Sequence, residues 1–176
     1  ITSVGWPARN EIVARQISDG SEIYRINLGT ESPIGNPVIN GANLYVSTDD
    51  GKVHSIRKDN GIIVNTYDSL SNAPLTMPVF DGTDFFVGQA NGALHKVNSI
   101  NMTRDAAWPT PQNAAGAIEA PPLVVGNEVY VGSPGRVQGF EAPVPGLPAS
   151  LKIGSDYVTG DTPTVTVNKP GPDNNL

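Results

Sequence analysis

The sequence predicts an all-β chain: a partial β-propeller of about three four-stranded blades, followed by a C-terminal β-strand segment. Three observations predict it. A strand–turn–strand motif recurs about every forty residues. Gly and Pro, at 19 and 16 of 176 residues, punctuate the chain throughout. No stretch of eight or more residues carries the 3.6-residue apolar spacing of an amphipathic helix, so helix should be close to absent.

The motif's first copy is Pro37-Val38-Ile39-Asn40-Gly41-Ala42-Asn43-Leu44-Tyr45-Val46. The second, 41 residues on, is Pro78-Val79-Phe80-Asp81-Gly82-Thr83-Asp84-Phe85-Phe86-Val87. The third, a further 44 on, is Pro122-Leu123-Val124-Val125-Gly126-Asn127-Glu128-Val129-Tyr130-Val131. Each reads as a strand, a tight Gly turn and a second strand. Asp50-Gly51, Asn91-Gly92 and Pro134-Gly135 then mark a second turn. The first two suit a type I′ hairpin, with positive φ at both central residues; Pro134 cannot take positive φ, so the third copy must turn differently. A third strand follows at 52–56, 93–97 and 136–140. The fourth element is Asn60-Gly61 and the strand Ile62–Tyr67; its counterpart 41 residues earlier is Asp19-Gly20 and Ser21–Ile26.

In this register Glu11–Ala14 falls on Lys52–Ser55. The chain therefore begins near the middle of one blade, completes two more and reaches the third strand of another. Strand alternation puts Leu44 and Val46 on one face, and Phe85 and Val87 likewise. Tyr45, Phe86 and Tyr130 are equivalent positions and should serve blade packing. One blade cannot bury its apolar side alone, so blades must stack.

The pattern Pro-Val, Gly, apolar-Tyr-Val, Asp-Gly, Val-x-x-Ile, Asn-Gly resembles the PQQ-like, or quinoprotein-type, propeller repeat over roughly residues 10 to 142. That resemblance implies a scaffold rather than an activity. The family's outer strand usually carries a docking Trp four residues after its Gly; here Tyr24 and Asn65 stand there. The expected organisation is a partial propeller at 1–142, a Pro-rich linker at 143–149, and a segment at 150–176. The last segment, with Asp156-Tyr157, Gly160-Asp161 and Thr164-Val165-Thr166-Val167, resembles the opening of an immunoglobulin-like domain of prokaryotic surface proteins, or supplies exchanged strands. Starting at Ile1 inside a strand and stopping after two sandwich strands, the sequence reads as a fragment of a larger product.

The net charge of −6 without basic clusters argues against nucleic acid and anionic membrane surfaces as partners. No apolar run is long enough to span a bilayer. With no Cys, disulfides, thiol catalysis and Cys-type zinc sites are excluded. His54 and His95 are the only histidines and are repeat-equivalent, with Val13 and Gln138 in the flanking copies; this favours structural over metal-binding roles. Asp49-Asp50-Gly51, Asp81-Gly82-Thr83-Asp84, and the tail residues Asp156, Asp161 and Asp173 are the groups that raise calcium. The two turns lack the ligand spacing and closing Glu of an EF-hand, and Asp in a hairpin turn needs no metal. No cofactor and no catalytic residue is expected, since no nucleophile motif or phosphate loop is present. Trp108, in the insertion-like stretch 105–111, and Trp6 are the expected partner-contact residues, and Asn101-Met102-Thr103 is a glycosylation sequon.

The expected function is a non-catalytic binding or assembly module of a secreted or cell-surface, extracytoplasmic protein. Its partners are other proteins, or further copies of itself engaged through open β edges. The alternative is a subunit of an extracellular filament or complex built by β-strand addition. A quinone-dependent oxidoreductase ranks last.

Overall fold

The computed structural model of the chain describes residues 10–105, 108, 112–141 and 157–158. The linker at 143–149, Trp6, Asp156, Asp161, Asp173 and the strand expected at 164–167 lie outside the described residues. All described regular structure is antiparallel strand, with no helix.

The elements run β1 (Glu11–Arg15), β2 (Glu22–Asn27), β3 (Pro33–Asn40), β4 (Asn43–Thr48), β5 (Lys52–Arg57), β6 (Ile63–Asp68), β7 (Val79–Asp81), β8 (Asp84–Gly88), β9 (Ala93–Asn98), β10 (Thr103–Arg104), β11 (Gln112–Asn113), β12 (Leu123–Val125), β13 (Glu128–Ser133), β14 (Arg136–Glu141) and β15 (Tyr157–Val158). They form a half-blade β1-β2, a complete blade β3-β4-β5-β6, a blade β7-β8-β9-β10 in which β11 also pairs with β9, and a last sheet β12-β13-β14-β15. These are the repeats read from the sequence, and the first described strands, β1 and β2, pair as a two-stranded sheet.

The second turn of each blade differs from expectation. Gly51 and Gly92 have φ of 86° and 91°, but Asp50 and Asn91 do not have positive φ. The turns are three-residue loops. Gly51 N–H donates to Thr48 O and Gly92 N–H to Gln89 O, which is a type I turn followed by a left-handed Gly, not type I′. The physical reason is the pairing: Ser47 faces Val53 and Gly88 faces Leu94, which leaves one residue too many for a two-residue loop. Pro134-Gly135 does turn differently. Ser133 pairs directly with Arg136, leaving two residues, with positive φ at Gly135 alone.

The blade β7-β8-β9-β10 is apolar on both faces because it has a neighbour on each side. Tyr45, Val53 and Tyr67 of one blade meet Phe85, Val87 and Val97 of the next, with Leu75 and Met102. The opposite face of that second blade presents Phe86 and Leu94 to Val129, Val131 and Phe140, with Trp108 and Ile118. Phe85 and Phe86, adjacent in sequence, are both 0% exposed because they serve different interfaces. Each such buried aromatic or aliphatic side chain contributes about 1.5–3 kcal/mol.

Candidate functional site

Three kinds of position could carry function here: the repeated polar residues between blades, the outer strands, and the uncovered face of the last sheet.

His54, His95 and Gln138 occupy one repeat position on the third strand of successive blades, and each bridges to the preceding element. His54 Nε2 lies 2.6 Å from Glu31 Oε2, and its Nδ1 lies 2.9 Å from Thr66 Oγ1. Gln138 Oε1 accepts the Ala115 N–H at 2.7 Å. His95 is the most enclosed, 2% exposed. Arg104 Nε donates to Tyr67 Oη, and the Tyr67 hydroxyl donates to His95 Nδ1 at 2.7 Å. His95 Nε2–H donates to Gln89 Oε1, while Gln89 Nε2 donates to Ser69 Oγ, Ser71 O and Ala73 O. This chain of donors leaves His95 no room for a second proton. Burial, aided by the nearby Arg104 charge, holds its pKa down at about 4. His95 thus joins two blades, whereas His54 is held within its own sheet by Thr66 and by Glu31 of the connection before β3.

The acidic turns are likewise engaged. Asp49 Oδ1 accepts the Ser32 N–H, Asp50 binds Thr48 Oγ1 and Lys52 Nζ, and Asp84 receives Lys96 Nζ at 3.1 Å. Lys52 is also held by Glu31, and its ammonium is stabilised well above the ordinary range, first by Asp50 and then by Glu31. Among the described residues, no three His, Asp or Glu side chains are grouped as a metal site requires.

The docking position of the outer strand is occupied in both complete interfaces, with different chemistry. The ring of Tyr24 lies so close over Gly61 that a Cβ there would stand 2.5 Å from it. Asn65, one repeat on, donates Nδ2–H to Asn101 O at 3.0 Å. Asp19, Asn60 and Asn101 share a further feature: each Oδ1 accepts the N–H two residues ahead. Asn101, the expected glycosylation residue, is thus an exposed member of the repeat's turn. Met102 takes the place of Gly20 and Gly61, with a φ of 55°. Its side chain is buried in the inter-blade core, which offsets the cost of about 1–2 kcal/mol for left-handed backbone.

Trp108 corrects an expectation. It is not an exposed loop aromatic: it is 4% exposed and packs edge-on against Phe86 at 5.4 Å. It stands 41 residues after Tyr67, the outer-strand aromatic of the preceding blade. The insertion lies in how the chain reaches the ladder. Arg104 faces Val97 and Gln112 faces Leu94, so seven residues, 105–111, lie between positions that the partner strand separates by two. The offset of 41 was the signal that could have placed it.

Exposed apolar side chains gather in two places. On the outer strands, Ile62, Ile63 and Val64 are 60%, 40% and 54% exposed, with Ile23 and Ile100 also open. β6 is the edge of its sheet, so one side of its backbone has no strand partner among the described residues. On the last sheet, Leu123, Val125 and Val137 are exposed and Tyr130 is half-buried.

Comparison with known proteins follows this geometry. A family model described as outer membrane protein assembly factor BamB matches residues 4–149, a span that stops before the segment at 150–176. The crystal structure of BamB from Moraxella catarrhalis is similar with a TM-score of 0.62 and 20% identity, over 76% of this chain and 40% of that one. Two computationally designed proteins are also similar at 14% identity and a TM-score of 0.66. Ika4 is covered over 77% of this chain and 82% of its own, and Ika8 over 85% and 44%. This chain therefore spans 40% of the length of the BamB structure it resembles. No curated protein matches.

Proposed function

Because the chain belongs to the family described as outer membrane protein assembly factor BamB, we propose that it is a non-catalytic, protein-binding module of the cell envelope whose partner docks on the apolar rim of the blades. The observation that carries this reading is the rim itself. Ile62, Ile63 and Val64 run consecutively along an edge strand and stay 40–60% exposed. Edge strands are ordinarily protected by charge. β2, the preceding outer strand, has that protection: Arg25 pairs with Glu22 and Glu11 across its surface. β6 carries one charged side chain, the exposed Asp68 at its far end, and none from Ile63 to Tyr67. The apolar start of β6, with Ile62 just before it, suits an extended segment of a partner, which gains backbone hydrogen bonds along the strand and side-chain contacts on either face.

The repeated polar position supports a scaffold role over a redox one. Both ring nitrogens of His54 and His95 are engaged by protein groups, and Gln138 Oε1 accepts the Ala115 N–H. The family match suits an extracytoplasmic location.

A photo-crosslinking residue placed at Ile62 or Val64, in cells making the full-length protein, tests the reading. The expected result is one discrete adduct of partner size from both positions, lost when Ile63 is replaced by Lys and absent from a probe at Lys58. No adduct, or equal adducts from all three probes, would contradict it. An adduct of twice the protein's mass would replace the foreign partner with a second copy.

A further inference from the structure

The last sheet is completed by a strand from far along the chain, and its register is informative. β15 pairs with β14 so that Arg136 faces Val158 and Val137 faces Tyr157. In the complete blade, β6 pairs with β5 so that Lys52 faces Asp68 and Val53 faces Tyr67. Lys52 and Arg136 are equivalent first residues of the third strand, so Tyr157 takes the ladder slot of Tyr67 and Val158 that of Asp68. The half-blade obeys the same rule: Ile12, equivalent to Val53, faces Ile26. The slot thus holds Ile26, Tyr67 and Tyr157 in three sheets. In the remaining blade Gln112 takes that slot opposite Leu94, and Trp108 is buried beside Phe86.

From this shared register we infer that the chain's own C-terminal segment is the outer strand of the last blade, held in cis at Tyr157–Val158, and is not a strand offered to other molecules. The edge of β14 is the site, and its occupant is that segment. Two further observations favour this occupant. β14 is a six-residue strand whose Val137 and Gly139 face outward, so its edge and outer face need cover. The residue the register places opposite Val137 is an aromatic, as opposite Val53. Whether a partner docks on the rim of β6 has no bearing on this assignment, since the two edges belong to different sheets.

The test uses the fact that the chain has no Cys. The double variant Arg136→Cys, Val158→Cys introduces two thiols at directly opposed positions. Opposed residues in an antiparallel pair lie about 4.5–5.5 Å apart at Cα, within disulfide reach. Lys52→Cys, Asp68→Cys is the equivalent pair in the complete blade and the positive control. Arg136→Cys, Asp156→Cys shifts the register by two and is the negative control. Under mild oxidation, non-reducing electrophoresis and peptide mapping should show an intramolecular disulfide in the test pair at a yield like that of Lys52/Asp68. That yield should be roughly tenfold above the shifted pair, whose diagonal spacing exceeds the usual reach. Equal yields from the test and shifted pairs, no bond while the control forms one, or a bond only between two molecules would each overturn the inference.

Discussion

Phe86→Ala is expected to lower the unfolding free energy by about 3–5 kcal/mol, whereas Tyr130→Ala, at the equivalent position of the next repeat, should cost about 1 kcal/mol or less. The two residues share a strand position and nearly a volume. Their environments differ. Phe86 is 0% exposed, with Trp108 edge-on and Val129, Val131 and Phe140 of the next blade around it. Removing its ring opens a cavity that two rigid sheets cannot close. Tyr130 points to the outer face of the last sheet, half-buried, with its hydroxyl on Glu128 and its ring over Gly139. Urea unfolding of the two variants at neutral pH measures both values. Similar losses would mean that burial does not come from the neighbouring blade.

His95 carries the second large effect, a loss of stability on acidification. Its folded pKa is about 4, below the ordinary value of 6.5, so the folded state resists protonation more than the unfolded chain does. Between pH 6.5 and 4 the unfolded chain binds the proton and the folded one does not, and stability rises with pH across that window. The contribution is complete above 6.5 and is lost progressively as pH falls toward 4. Its size is on the order of 3 kcal/mol. His95→Gln tests this cleanly, because Gln138 already stands at the equivalent position of the last blade. The variant's stability should vary much less between pH 6.5 and 4 than the parent's, measured by denaturant midpoints across the range. An unchanged pH dependence would place the sensitivity elsewhere.

The blade order was legible because its signals are local and repeated. Gly41, Gly82 and Gly126 recur at the same point of three hairpins, and the strands between them alternate. The half-blade at the start followed from register alone. What escaped the sequence were details set by pairing. Asp50-Gly51 suits a two-residue turn by composition, yet the ladder around Ser47 and Val53 leaves three residues in the loop. Asn101-Met102 reads as a sequon, while its place in the fold is the turn of Asn60-Gly61, hidden because Met replaces the expected Gly. Trp108 reads as a loop residue because the insertion after Arg104 masks its offset from Tyr67. The rim at Ile62–Val64 was read as an outer strand, but its exposure depends on which strand ends the sheet, and that is a property of the assembled fold. The docking position at Tyr24 and Asn65 was found from the sequence as a departure from the family pattern. Only the structure shows that both residues still reach the next blade.

The central claim is that successive repeats are sheets that cover one another's faces. Amide hydrogen exchange in the native protein tests it most directly, through the equivalent strands β8 and β13. Both have strand neighbours on either side, so pairing alone would protect them alike. β8 lies between two blades, and among the described residues β13 is covered on one face only. Covered sheets open only with the core, so the amides of Phe85, Phe86 and Val87 should exchange slowest in the molecule and measurably more slowly than those of Val129, Tyr130 and Val131. Equal rates in the two strands, or faster exchange in β8, would contradict stacking.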